Sequence, residues 1–471
     1  MAIKFGTEGW RAIMAEEFTV ANVRIVAQAI AEHYAAAAGS GTPPRLVVGY
    51  DTRFLSDRFA RAVSEVLAGN GMGTILSDST VPTCAVSRYI VQHKLTAGVM
   101  ITASHNPPIY NGIKIKEGFG GSATPETVSS VEGRLGAQPP KSLLLEEARK
   151  AGTVELRPLM PDYIKGIRQG VDLAAIRRSR LRVVVDAMHG AAGNLTERLL
   201  TGGRCRVETL HADPDPLFGG QAPEPIDSHL VELRRRVKKL EWDVGLATDG
   251  DADRIGAVAP NGAFVTPGQI LCILLEHFIT AKGWKGPVVK TVSNTSMITR
   301  MTQHYGLPLH EVPVGFKHVA KLMLSDDVLI GGEESGGIGV RGYLPERDGV
   351  YIGLLLLEAL ATQGRGVQEV LRRLERRFGA WRYARQDLAL SLPQVERVFQ
   401  QLRSSPPGDV AGAPVRKVKT LDGVKLIGQD KSWLLFRRSG TEPIVRVYAE
   451  SLSPARLKRM LAFGVELAKH A

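Results

Sequence analysis

The sequence predicts an α/β protein built from three related α/β units and closed by a small α+β domain. Three segments share one pattern: a short apolar or β-branched run, a polar turn, then helical periodicity. They are RLVVGYDTR (45–53), LRVVVDAMHGAAG (181–193) and GPVVKTVSNTS (286–296). Such runs are buried on both faces, as the strands of an α/β layer are. The last stretch reads differently. VKLIGQ, SWLLFRR and IVRVYAE look like short strands, and PARLKRMLAFGVELAKH like a closing helix. A chain of 471 residues also exceeds one ordinary core, so three or four domains are expected.

Taken in order, the units divide at 1–158, 159–258, 259–378 and 379–471. Linkers are expected near 137–161 (AQPPKS, RPLMP) and 259–267 (APNGAFVTP), with a further boundary near 378. RRRVKK (234–239) falls in an amphipathic helical pattern and reads as a solvated helix face. VYIGLLLLEALA (350–361) carries Glu358 and is shorter than the ~18 residues a membrane helix needs, so it reads as a buried helix. ALATQGRG and SSPPGDVAGAP read as loops.

Composition narrows the function classes. The N-terminus MAIKFGTEG has no apolar secretion segment, which points to the cytoplasm. Cys84, Cys205 and Cys272 match no metal or redox spacing and read as buried thiols in a reducing compartment. The net charge of +12 suits either nucleic acid or an anionic small substrate. Aromatics are only 6% and the basic residues are scattered, so no nucleic-acid or membrane partner is expected. Monomer and dimer both stay open.

Four loops concentrate polar chemistry. In TASHNPPIYNGIK, Pro107 and Pro108 fix the backbone and display Ser104 on a stiff loop at a strand end. Taken alone, Ser104 and His105 could equally be a cap and a surface imidazole. Neighbouring side chains on an extended loop point apart, which argues against a Ser–His triad. In ATDGDADRIG, alternating Asp249, Asp251 and Asp253 can converge on one point, where they repel unless a cation joins them. Oxygen-only ligands suit Mg²⁺ or Ca²⁺. An EF-hand is excluded, because its sixth and twelfth positions are Arg254 and Pro260 here. In GGEESGG, Glu333 can accept hydrogen bonds from neighbouring sugar hydroxyls. The overlapping GIGVRG has no helix beside it and is no dinucleotide site. In RRSGTEP, Arg437 and Arg438 with two hydroxyls and a glycine suggest an oxyanion cradle, or else a plain turn. Together these are the parts of phosphoryl transfer to and from a serine on a sugar phosphate.

The order TASHNP, DGDADR, GEESGG, RRSGTEP, opened by FGTEGWR, resembles the α-D-phosphohexomutase family, with motifs from residue 5 to 446. The resemblance implies four domains around a central cleft. It implies a hexose 1-phosphate/6-phosphate mutase, glucose-type first and mannose-type second, working through a phosphoserine and a hexose 1,6-bisphosphate that also serves as activator. A phosphoserine-dependent sugar phosphatase and a phosphoglucosamine mutase are the alternatives. By motif, Ser104 is similar to the phosphoryl carrier. Its phosphate oxygen would complete one Mg²⁺ site per chain with Asp249, Asp251 and Asp253. Arg11 and Lys114 would flank the reacting phosphate and assist proton transfer, with His105 as hydrogen-bond partner of the serine. Arg254, Lys290 and Lys317 would bind phosphate or substrate, and Glu333 and Ser335 the sugar hydroxyls. Arg437, Ser439, Gly440 and Thr441 would hold the phosphate that is not reacting. Some relatives end the sugar loop in GE-x-S-G-H. Gly337 stands at that last position here, which shifts proton transfer toward Lys114 and Arg11.

Overall fold

The structure, a computed structural model, describes residues 3–6, 9–39, 41–438 and 444–470. The first sheet takes strands β1 (Trp10–Ile13), β2 (Arg45–Tyr50), β3 (Gly73–Ser77), β4 (Ala97–Ile101), β5 (Tyr110–Glu117) and β6 (Val154–Arg157). Their order is β1-β5-β4-β2-β3-β6. The centre is parallel, and β5 returns antiparallel beside β4. The second sheet takes β7 (Arg182–Asp186), β8 (Arg206–Leu210), β9 (Val244–Thr248), β10 (Ile255–Val258) and β11 (Phe264–Val265), in the order β11-β10-β9-β7-β8. The third takes β12 (Val288–Thr291), β13 (Leu309–Val312), β14 (Ile330–Gly332) and β15 (Ile338–Val340), in the order β13-β12-β14-β15.

The three sheets share one plan. Parallel strands fill the middle, and one of them is followed by an antiparallel return: β4 to β5, β9 to β10, β14 to β15. TASHNPP, DGDADR and EESGG are therefore the same connection in three related sheets. Each lies beyond the carboxyl end of a buried strand, where open α/β sheets place ligands. The strands are apolar because both faces are covered. Leu46, Val47 and Val48 of β2 are all buried, each stabilising by about 1.5–3 kcal/mol.

The fourth sheet is antiparallel throughout. It runs β16-β20-β19-β18-β17, from β16 (Arg382–Ala389), β17 (Val415–Lys419), β18 (Val424–Gly428), β19 (Trp433–Arg438) and β20 (Ile444–Ser451). Helices Leu392–Ser404 and Pro454–His470 share its core through Val398, Phe399 and Met460. This is the α+β unit expected.

Helix Gly349–Gln363 is buried around most of its circumference, with Glu358 inside, and is capped by Asp348 accepting from Tyr351 N–H. It also absorbs the first half of ALATQGRG, so the loop begins only at Gly364. The 137–161 stretch is more than a linker. Helix Leu145–Lys150 forms there, and β6 completes the first sheet. The three cysteines are buried and unpaired. Among the described residues, no helix is long and apolar enough to cross a membrane.

Candidate active site

Ser104 sits on the β4–β5 connection with φ +53, a left-handed conformation uncommon outside glycine. Its N–H donates to Thr102 Oγ1 at 2.8 Å. The loop does not display the serine, which is 1% exposed. His105 Nδ1 lies 3.4 Å from Ser104 Oγ. The two side chains do not point apart, because the left-handed turn replaces the extended backbone that would separate them. Burial, Arg254 and Arg11 hold the His105 imidazole well below its usual range, so it is neutral. Arg11, on β1 opposite Gly112, donates to Asn106 Oδ1 at 2.8 Å.

The β9–β10 connection closes over this loop. Ser104 Oγ donates to Asp249 Oδ2 at 2.8 Å. An ideal Cβ on Gly250 would lie 2.7 Å from the Ser104 carbonyl oxygen, so only glycine permits the approach. Carboxylate oxygens of Asp249, Asp251 and Asp253 lie within 4.8 Å of one another, all buried. Lys114 Nζ, from β5, donates to Asp251 Oδ2 at 2.6 Å and to Asp253 Oδ2 at 2.7 Å. Protein cations thus already offset part of the repulsion that the sequence assigns wholly to a metal. Burial and the two neighbouring carboxylates push the Asp249 carboxyl well above its usual range. Burial works the same way on Asp253, but Arg347 and Lys114 outweigh it and hold that carboxyl well below. Asp251 Oδ1 and Asp253 Oδ1 are buried with no hydrogen-bond partner. Orphaned carboxylate oxygens beside Ser104 Oγ fit a hard divalent cation. Arg254 donates its backbone N–H to Asp249 Oδ1 and approaches Glu224 with its side chain.

The sugar-loop residues join this cluster through a chain of charges. Glu333 Oε2 lies 3.5 Å from Arg347 Nη1, and Arg347 Nη2 donates to Asp253 Oδ2 at 2.7 Å. Glu333 Oε1 accepts from Gly315 N–H at 2.9 Å, at the start of the helix carrying Lys317. Next door, Val314 N–H donates to Asp422, which also accepts from Arg437 Nε at 2.7 Å. Ser335 and Lys317 are half-buried on the same two segments. Lys290 is placed differently. It is buried, donates to the Thr295 carbonyl, and has Glu311 and Glu450 as its nearest opposite charges. Ser439, Gly440 and Thr441 lie outside the described residues.

The sequence matches the phosphoglucomutase/phosphomannomutase descriptions of α/β/α domain I over residues 2–139, domain II over 161–262, domain III over 266–378 and the C-terminal domain over 390–466. The chain belongs to the phosphoglucomutase/phosphomannomutase family. A phosphoglucomutase/phosphomannomutase of Thermococcus kodakarensis is 30% identical over 91% of this chain and 90% of its own. A phosphoglucosamine/phosphogalactosamine mutase of Sulfurisphaera tokodaii is 30% identical over 95% of each chain. A crystal structure from Thermus thermophilus, provisionally named a phosphomannomutase, superposes with a TM-score of 0.87 at 35% identity, covering 100% of this chain and 99% of that one. As a phosphoglucomutase/phosphomannomutase family member the protein is an enzyme, a phosphotransferase of the mutase kind.

The phosphoglucomutase/phosphomannomutase site contains groups that sequence reasoning missed. Segment 344–349 ties three units together. Lys116 and Ser122 of β5 and its turn bond Glu346, Arg347 reaches Asp253 and Glu333, and Tyr163 and Tyr343 donate to Asp348 at 2.8 Å each. Arg53 is the second. It follows β2 in DTR, at the same strand end as the other motifs, and that placement is the one signal that could have found it.

Proposed function

We propose that the enzyme interconverts hexose 1-phosphate and hexose 6-phosphate, with glucose preferred and mannose second, through phosphorylated Ser104 and a hexose 1,6-bisphosphate. The observation that carries this reading is Ser104 Oγ at 2.8 Å from Asp249 within the aspartate trio. In the first half-reaction the Ser104 Oγ–P bond breaks while a P–O bond forms to the free sugar hydroxyl, and the hydroxyl proton ends on Ser104 Oγ. The second half-reaction reverses this at the other end of the sugar. Arg11 and Lys114 flank the phosphoryl group and assist the proton. His105 orients the serine oxygen. Asp249, Asp251, Asp253 and a Ser104 phosphate oxygen would hold one Mg²⁺ per chain, whose charge stabilises the transferring phosphoryl oxygens. An Aspergillus fumigatus N-acetylphosphoglucosamine mutase that shares the fold was solved with GlcNAc-6P and magnesium, TM-score 0.63 at 14% identity.

Glu333 and Ser335 read sugar hydroxyls. Arg254 and Lys317 meet phosphate or sugar, while Lys290 acts as a buried charge behind the loop. Arg437 with Ser439, Gly440 and Thr441, in the last of the units 1–158, 159–258, 259–378 and 379–471, holds the phosphate at rest. Free hexose 1,6-bisphosphate activates by loading Ser104. A phosphatase would need water at the phosphoserine, and release of free phosphate separates it from a mutase.

An amino-sugar phosphate is the second reading, supported by the Sulfurisphaera tokodaii relative, whose name covers phosphoglucosamine and phosphogalactosamine. The test compares kcat/KM for glucose, mannose and glucosamine 1-phosphates with bisphosphate present, while free phosphate is followed in parallel. Glucose is expected to lead. A leading glucosamine value would exchange the two substrate readings, and phosphate release equal to turnover would remove the mutase.

A further inference from the structure

We propose that Arg53 is a positioning residue for the phosphoryl carrier: it holds the Ser104 loop in the one shape that transfers phosphorus to sugar and denies it to water. The proposal rests on the reading of Ser104 as carrier. The guanidinium is 3% exposed and sits inside the curve of the loop. Nη2 donates to the carbonyls of Ser104 at 2.6 Å and Asn106 at 2.7 Å. Nη1 donates to the carbonyls of Pro107 at 3.0 Å and Tyr110 at 2.9 Å. Nε faces Asp51 Oδ2 at 3.3 Å. The four Nη N–H groups of one planar fork are thereby all directed at the carbonyls of this one connection, while Nε makes only the ion-pair contact with Asp51.

Three features make this more than packing. The loop is Pro-rich and cannot form its own backbone ladder, so its carbonyls need outside donors. The Ser104 carbonyl is fixed at the residue with φ +53, so the bond acts on the torsion that aims Oγ at Asp249. The cation also spans two units, since its Cζ lies 4.9 Å from the Phe218 ring, on the chain that leads into the aspartate loop's own sheet. Asp51 is itself anchored, accepting from Arg53 N–H at 3.1 Å and Ser56 Oγ at 2.9 Å, so the fork has a fixed base. A lysine offers three donors at one point and cannot serve four carbonyls spread along a loop.

If the loop loosens, Oγ moves off line and water reaches the phosphoserine. Water oxygen then bonds to phosphorus, the P–Oγ bond breaks, inorganic phosphate leaves and Ser104 Oγ keeps a proton. A misplacement near 1 Å costs about a hundredfold in transfer rate. The experiment uses full-length Arg53→Lys with Mg²⁺ and glucose 1,6-bisphosphate. Mutase kcat, KM for glucose 1-phosphate and inorganic phosphate released per turnover are read together. The expected result is kcat down about a hundredfold, with KM nearly unchanged and phosphate release per turnover raised at least tenfold. An unchanged release ratio, or a loss wholly in KM, overturns the proposal. Should Arg53→Lys not fold, Asp51→Asn decides it on the same readouts, with smaller shifts in the same directions. Phosphopeptide mapping of the wild-type enzyme separates the two readings. No label on Ser104 sinks the carrier, whereas label on Ser104 with an unmoved release ratio sinks only the role of Arg53.

Discussion

The two ends of the site are built differently. Around Ser104 the polar groups are sealed. Lys114 is 1% exposed, the three aspartates are fully buried, and segment 344–349 threads the first three units together. Around Arg437 they are not. Its side chain is 15% exposed, and its own ion-pair partner Asp422, 21% exposed, bonds the Val314 N–H of the third unit. The contrast teaches a division of labour. The end that makes and breaks bonds is preorganised and dry, where fixed charges act most strongly. At the end that only holds a phosphate, Arg437 itself is held by an ion pair that water can replace. Its sheet is nonetheless fastened to the third unit by bonds of buried side chains, such as Lys425 Nζ to the Val292 carbonyl and Ser296 N–H to Glu450. A bisphosphate that must turn end over end needs one firm end and one that lets go.

Breaking the firm end should be the most costly. Ser104→Ala is expected to abolish sustained turnover, read as glucose 1-phosphate conversion over many enzyme equivalents, and near wild-type rates would end the carrier scheme. Asp251→Asn comes next. It should weaken Mg²⁺ binding and activity by at least about a hundredfold, since even groups behind the ligands are worth 10–100-fold. Calorimetric titration with Mg²⁺ checks it, and an unchanged affinity would move the metal elsewhere. At the other end, Asp422→Asn should raise KM about fivefold while kcat stays near wild type, as suits a partly exposed ion pair. A hundredfold fall in kcat would erase the contrast between the ends. Solution scattering sharpens the same comparison. Bisphosphate should compact the protein as the C-terminal unit closes, and an unaltered profile would make the clamp as fixed as the serine.

The smallest effect lies away from both ends. Glu358 accepts from Asp172 N–H at 2.8 Å, His277 at 3.1 Å and Lys282 at 2.7 Å. Burial opposes its charge, but these hydrogen bonds outweigh it and set its pKa at about 2, against 4.5 ordinarily. A carboxyl lowered on folding lends stability above its unfolded pKa, and that stability fades as pH falls from about 4.5 toward 2. Tm of the wild type should therefore fall more steeply than that of Glu358→Gln across this window, and parallel curves would refute the assignment.

The motif residues were legible because their chemistry is local. Ser104 and the aspartate trio announce themselves within ten residues of chain, and β2, β7 and β12 through their buried apolar runs. What stayed hidden depends on partners far along the chain. Lys116 pairs with Glu346 across 230 positions, and Arg53 reaches carbonyls more than 50 positions on. No periodicity encodes such meetings. The strand Val154–Arg157 was hidden for another reason. It is an edge strand with half its length exposed, so VELR lacks the apolar signature of the central strands.

Gly337 leaves no room for a side chain. A Cβ there would fall 2.2 Å from Arg347 Cδ and 3.1 Å from Glu333 Oε2. A histidine at this position would require the Arg347 side chain to move, because its methylenes already fill the space. Because Arg347 also bonds Asp253 and pairs with Glu333, any side chain at 337 would disturb the link between the sugar loop and the aspartate trio.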